Sequence, residues 1–213
     1  MKVICVSDTH NKLSKIKIPD GDMIIHAGDV SSKGDYYDVL KFVKEFSALP
    51  HKHKIFIAGN HDFIFQYNKK QALELLKNTD IIYLEDNYTM IDNHKIYGSP
   101  WQPTFYDWAF NLNRGRSIKA KWDLIPNDVD ILITHGPPYE ILDIAPRRAN
   151  QYGEHVGCQD LLEKILQIKP KYHIFGHIHN GYGKCVQDDI TFINASSLGE
   201  NHVSINQPIE FEI

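Results

Sequence analysis

Lys2-Val3-Ile4-Cys5-Val6-Ser7, running straight into Asp8-Thr9-His10, is the stretch on which the fold turns. Its apolar part is rich in β-branched residues and too short for a helix. It stops abruptly on polar side chains, so it reads as a buried strand. Further runs end the same way. Met23-Ile24-Ile25-His26-Ala27 meets Gly28-Asp29, and Ile55-Phe56-Ile57-Ala58 meets Gly59-Asn60-His61-Asp62. Ile131-Leu132-Ile133-Thr134 meets His135-Gly136-Pro137-Pro138, and Tyr172-His173-Ile174-Phe175 meets Gly176-His177-Ile178-His179. Helical spacing fills the intervals: Val39, Leu40, Val43 and Phe46 share a face within 36–48, and Leu161, Leu162, Ile165, Leu166 and Ile168 recur within 158–168. Shorter helical patterns occupy 70–78 and 117–124, and Pro50, Pro126 and Pro170 follow three of the four. Strands alternating with helices predict an α/β (α+β) layered fold. More short strands are expected at 81–84, 88–91, 94–98, 182–187, 190–195 and 209–213. The pair around Asp188-Asp189 reads as a hairpin, so the sheets should be mixed.

The chain has 213 residues, 42% of them hydrophobic, with no repeat and no linker-like tract, which suits a single domain over 1–213. Lys and Arg number 23 against 27 Asp and Glu, and the resulting −4 argues against a binder that grips nucleic acid by bulk charge. Cys5, Cys158 and Cys185 are too few and too scattered for a disulfide framework or a zinc finger. No apolar run approaches the roughly 20 residues of a membrane span, and residues 1–10 lack a signal-peptide pattern. A soluble, cytoplasmic protein is expected; no oligomeric state follows from the sequence.

In open α/β sheets, sites form beyond the carboxyl ends of strands, where loops converge. Each of the five runs delivers Asp, Asn or His at that end, which points to one shared site. The set is Asp8, His10, Asp29, Asn60, His135, His177 and His179. Carboxylate and amide oxygens mixed with imidazole suit Mn²⁺, Fe, Zn²⁺ or Ni²⁺, and the lack of thiolate disfavours a structural zinc site. These ligands exceed what one tetrahedral ion can use, whereas two divalent ions could share them if one carboxylate bridged. Asp29, at the end of the second run, is the natural bridge by position. Two such ions less the charges of Asp8 and Asp29 leave a positive centre. It could hold a hydroxide and an anionic phosphoryl group and support in-line displacement. His61 follows a ligand and is read as proton donor to the leaving oxygen. Asp62 has two readings: it orients His61, or it caps a helix over Phe63-Ile64-Phe65.

Asp8-Thr9-His10, Gly28-Asp29, Gly59-Asn60-His61-Asp62, His135-Gly136 and Gly176-His177-Ile178-His179, in that order, resemble the motif set of calcineurin-like metallophosphoesterases. The resemblance implies a four-layer α-β-β-α sandwich with two mixed sheets and a dinuclear metal centre. By its pattern Asp8, His10, Asp29 and His179 would hold one ion. Asp29, Asn60, His135 and His177 would hold the other, with His61 as the catalytic histidine. Tyr97-Gly98-Ser99-Pro100-Trp101, Phe110-Asn111-Leu112, Arg114-Gly115, His135-Gly136-Pro137-Pro138 and Ile193-Asn194-Ala195-Ser196 look like the metallophosphoesterase-domain-containing subgroup first described from fetal brain. That subgroup is associated with cyclic nucleotides and other phosphodiesters. Some vertebrate members carry Gly at the position of His177, which this chain keeps; many relatives have Glu where it has Asp62.

The expected function is a phosphodiesterase that uses two divalent ions, Mn²⁺ first among them, and metal-bound hydroxide to attack small-molecule phosphoesters, nucleotides included. The rival readings are a phosphomonoesterase on nucleotides or phosphoproteins and a non-catalytic scaffold on the same fold. Substrate choice should lie in the 101–116 and 137–157 loops. There Arg114, Arg116, Arg147 and Arg148 could grip phosphate, and Trp101, Phe105, Tyr106, Trp108 and Phe110 could stack a base or fill the core. The remaining histidines, His202 among them, have no sequence context that raises them above surface or core residues.

Overall fold

The computed structural model of the chain describes residues 1–147 and 150–213. Strand alternation sorts the apolar residues of β1 (Lys2–Val6) onto two faces, Val3 and Cys5 on one and Ile4 and Val6 on the other. Both faces are buried, so the strand needs partners above and below it. Parallel to β1 lie β2 (Met23–His26), β3 (His53–Phe56) and β4 (Ile81–Tyr83). The second sheet contains β5 (Asn87–Ile91), β6 (His94–Ser99), β9 (Ile131–Thr134), β12 (Tyr172–Phe175), β13 (Gly183–Gln187) and β14 (Ile190–Asn194), in the order β13-β14-β12-β9-β6-β5. Its four inner strands are parallel, and its two edge strands, β5 and β13, pair antiparallel. The terminal strand β15 (Ile209–Glu212) closes the first sheet antiparallel to β1. Two small pairs lie outside both sheets: β7 (Gln102–Pro103) with β8 (Asn111–Leu112), and β10 (Ile144–Arg147) with β11 (Asn150–His155).

The two sheets pack face to face through Val3, Cys5, Met23, Ile25 and Ile55 on one side and Ile96, Ile131, Ile133, Ile174 and Ile193 on the other. The opposite face of the first sheet, with Ile4, Val6, Ile24 and Phe56, takes α1 (Tyr36–Ser47), α2 (Phe63–Tyr67) and α3 (Lys69–Leu76). Outside the second sheet, Tyr97, Leu132, Phe175 and Phe192 pack on α4 (Arg116–Trp122) and α5 (Gln159–Ile168). This is the mixed α/β sandwich of four layers that the motif order implies. Each large side chain removed from water between the layers contributes roughly 1.5–3 kcal/mol. Helix α1 begins where the Asp35 carboxylate accepts the amides of Tyr37 and Asp38, both at 2.9 Å.

The hairpin expected around Asp188-Asp189 is present: Gln187 pairs with Ile190, and the two aspartates take φ of 51° and 63°, as a tight primed turn requires. Helix α2 occupies the Phe63-Ile64-Phe65 segment that one reading of Asp62 required; the β7/β8 and β10/β11 pairs were not expected, because segments this short show too few repeats to register a period.

His26 and His173 lie inside strands and are fully buried. Each ring has one hydrogen bond through Nε2, to the hydroxyl of Thr9 or Thr134, and an unpartnered Nδ1. Burial pushes both pKa values down to about 3. The unfolded chain therefore binds these protons first, so stability falls as pH drops below about 6.5, the unfolded value, and goes on falling until about pH 3. Between about pH 6.5 and 5 each ring should cost about 2 kcal/mol. Urea unfolding of His173→Leu at those two pH values should show a pH dependence smaller by about that amount than the parent. Equal dependence in the two proteins would contradict the assignment.

Candidate metal centre

The carboxyl ends of β1, β2, β3, β9 and β12 come together at one edge of the sandwich and carry the residues singled out from the sequence. From the first sheet come Asp8, His10, Asp29, Asn60 and His61; from the second come His135, His177 and His179. The two halves are stitched across this edge. His135 Nδ1 donates to the carbonyl of Ala27 at 3.0 Å, and the His177 amide donates to both Asp8 carboxylate oxygens at 3.1 and 3.0 Å. Asp8, His10, Asp29 and His177 all have positive φ, at 52°, 40°, 54° and 67°. Such left-handed non-glycine backbone is uncommon and collects at functional sites, where surrounding structure holds the strain. At Gly28, with φ 99°, a Cβ would lie 2.5 Å from His135 Nδ1. At Gly176 a Cβ would run into the Asp8 carboxylate. Both motif glycines thus leave room for a ligand-type side chain.

Four histidines share one arrangement. His10 Nδ1 donates to Ser31 O, His61 Nδ1 to Ser32 O, His135 Nδ1 to Ala27 O and His179 Nδ1 to Gly199 O, at 3.2, 2.9, 3.0 and 3.2 Å. A carbonyl can only accept, so each Nδ1 carries a proton, and Nε2 is the ring nitrogen left to face the site. Metal-binding histidines are fixed in this manner. The His10 Nε2 is buried and has no hydrogen-bond partner. Asp29 faces both ways: Oδ1 is 3.5 Å from His135 Nε2, and Oδ2 is 3.7 Å from His10 Nε2. Asp8 Oδ1 lies 3.6 Å from His179 Nε2. Potential ligand atoms lie within 4.8 Å of one another in three groups among the described residues: Asp8, Asp29 and His135; His10, Asp29 and His61; His10, His179 and His202.

The electrostatics favour a cation here. Burial works against charge on His135 and His179, yet Asp29 and Asp8 outweigh it and hold both pKa values up at about 9. Burial likewise opposes ionisation of Asp8 and Asp29, but the surrounding histidines pull both well below the usual carboxylate range. Burial keeps His10 neutral, with its pKa down at about 4. Hard oxygens, imidazole nitrogens facing the site and the unpartnered buried Nε2 of His10 fit a divalent ion.

The structure places the remaining candidates as follows. Asn60 Oδ1 is 2.8 Å from His135 Nε2, in the same pocket as Asp29. The half-buried His177 ring stands 5.0 Å from that of His135 and belongs to none of the three tight groups. His61 is wedged between His10, edge to face at 4.7 Å, and the Trp108 ring at 4.1 Å. Asp62 stands at the N-cap position of α2, but its side chain makes no capping bond there, and it is Ser32 O that holds the His61 ring. Its carboxylate instead accepts from the amides of Val30, Ser31 and Gly59 and from the Ser31 hydroxyl, tying the Asp29 loop to the Asn60 loop. Burial and the nearby Asp29 push its pKa up to about 6, while the Ser31 hydroxyl and the Gly59 and Ser31 amides pull the other way. All four of its hydrogen-bond donors need an acceptor, so the loops are built around the ionised form.

Several contributors escaped the sequence reading. Ser196 donates to Asp8 Oδ2 at 3.0 Å, and the His202 ring stacks near His10 and His179. Beside the histidines opens a cavity of 410 Å³ whose walls include Pro103, Phe105, Pro137, Pro146 and Val156, with Arg114 among them. Arg114 donates to the carbonyls of Gly157 and Val156 at 2.7 and 2.6 Å, so it fastens the wall. Arg116 is exposed; the Arg147 side chain and Arg148 lie outside the described residues. Of the aromatic segment, Phe110 is core and Trp101 packs against it, Trp108 backs His61, and Phe105 and Tyr106 are exposed. No helix among the described residues is long and apolar enough to cross a membrane.

Comparison with known proteins agrees with this geometry. A sequence profile of calcineurin-like phosphoesterases matches residues 1–181. The human metallophosphoesterase domain-containing protein 1 is 40% identical over 234 residues, an alignment that covers 100% of this chain and 71% of that protein. Among solved structures, phosphopantetheinyl hydrolase from Mycobacterium tuberculosis superposes with a TM-score of 0.66 at 12% identity, over 93% of this chain and 89% of that one. An archaeal phosphodiesterase superposes at 0.50 and 18% identity, over 99% and 100% of the two chains. At such identities the structural likeness speaks for the fold alone.

Proposed function

This chain belongs to the calcineurin-like phosphoesterase family and so to the metal-dependent phosphoester hydrolases, and on that premise we propose that it is a phosphodiesterase with a dinuclear centre. The observation that carries the dinuclear reading is Asp29, whose two oxygens face His10 and His135 on opposite sides. Asp8, His10, Asp29 and His179 would hold one ion, and Asp29, Asn60, His135 and His177 the other, with Mn²⁺ the first to try. Divalent ions bound there would supply Lewis acidity toward the phosphoryl oxygens and a nucleophile at neutral pH.

The chain's own residues do the rest. Carbonyls of Ser31, Ala27 and Gly199 hold three imidazoles so that Nε2 points inward. Ser196 and the His177 amide keep the Asp8 carboxylate in place. His61 keeps its Nδ1–H on Ser32 O and its ring against Trp108; in the imidazolium form its Nε2–H would pass to the leaving oxygen, leaving the neutral ring with Nδ1 still protonated.

Preference for diesters rests on the 410 Å³ cavity, which abuts His177 and His179 and is walled largely by apolar side chains. A phosphodiester has a second ester arm to bury there; a monoester does not. Mn²⁺-loaded protein should turn over bis(p-nitrophenyl) phosphate faster than p-nitrophenyl phosphate, and Phe105→Ala should raise KM for the diester only. A faster monoester reaction would overturn the preference and favour a phosphomonoesterase.

A further inference from the structure

His202 lies in the segment after β14, carries no motif, and nonetheless reaches the metal centre. Its ring stacks on His10 at 4.5 Å between centroids with 20° between planes, and on His179 at 4.9 Å and 18°. One possible ligand nitrogen from each of the three rings lies within 4.8 Å of the other two. The ring is half-buried, and its backbone is tied down on both sides: the amide donates to Gly199 O at 2.7 Å, and the carbonyl accepts from Lys12 Nζ at 2.7 Å. Gly199 O also receives the Nδ1–H of His179, so one carbonyl sets the position of both histidines. The residue has φ of 56°, the same left-handed backbone found at Asp8, His10, Asp29 and His177.

We propose that His202 is an additional metal ligand, a third imidazole on the ion that Asp8, His10, Asp29 and His179 would hold. The inference rests on the dinuclear reading above and adds a residue to it. A ring placed here only for packing would not need a nitrogen beside those of His10 and His179; a ligand does. The environment also suits the role, because the two neighbouring imidazoles already turn Nε2 inward and the Asp8 and Asp29 carboxylates lie on the same side.

The test compares the parent with His202→Phe, which keeps the aromatic stack and removes the nitrogen, and with His202→Gln, which keeps a polar group. Co²⁺ is titrated into metal-stripped protein and followed by visible absorption, Mn²⁺ affinity is measured by chelator competition, and circular dichroism checks folding. Both variants should bind one of the two ions at least ~10-fold more weakly, with a changed Co²⁺ spectrum for that ion, while the other site is unaffected. Parent-like affinity and spectrum in the two variants would overturn the inference, whatever happens to KM. Failure of the folded parent itself to bind two ions would instead refute the dinuclear reading on which the inference stands.

Discussion

Asp29→Asn is expected to abolish most turnover while leaving the fold in place. Asparagine tolerates the left-handed backbone at φ 54° and can still accept the His61 amide that Asp29 Oδ1 receives at 2.8 Å. What it loses is the charge between the His10 and His135 nitrogens, and with it the carboxylate whose two oxygens face the two halves of the centre. Turnover of the diester should fall by at least ~10²–10³-fold, comparable with removal of one group that stabilises a transition state. Metal content should drop from two ions per chain, and the melting temperature of the metal-stripped protein should change little. Retention of roughly a tenth of the parent rate or more would show that Asp29 is not the bridge.

His61→Ala should have the other large effect, with a different signature. The ring touches His10 and Trp108 but no tight bond other than that to Ser32 O, so its removal leaves the ligand set intact. If it protonates the leaving oxygen, kcat on an alkyl or nucleoside ester should fall by ~10²–10⁴-fold with little change in KM. On a nitrophenyl ester, whose leaving group departs without a proton, the loss should be far smaller. Equal losses on both esters would assign His61 to charge stabilisation alone. Asp62→Asn should not imitate either result, since its carboxylate braces the Val30–Ser31 and Gly59 loops and does not touch the His61 ring.

The layers and the place of the site were legible because they follow from local rules. Alternation within Ile131-Leu132-Ile133 and Ile174-Phe175 assigns side chains to the inner and outer faces that they occupy. Strand-end polar residues meet at one edge because parallel strands all finish there. The pairing of ligands to individual ions came from the family resemblance, not from spacing. Other features depend on loops whose course no periodicity fixes. His202 reaches His10 only because a turn at Gly199 and a bond from Lys12 fold its segment back. Asp62 stands next to His61 in sequence, yet side chains diverge along such a segment, and its partners come from the Val30–Ser31 loop. In the aromatic stretch from Trp101 to Phe110, burial follows the irregular path between β7 and β8, so neither periodic template could tell Phe110 in the core from exposed Tyr106.

The most direct test of the account is a metal count on the unaltered chain. Protein stripped with a chelator, shown to be folded, would be titrated with Mn²⁺ while bound metal and hydrolysis of bis(p-nitrophenyl) phosphate are followed together. The account predicts two ions bound per chain, with most activity arriving only as the second site fills. Full activity at one ion per chain, or no Mn²⁺ bound by the folded protein, would contradict it.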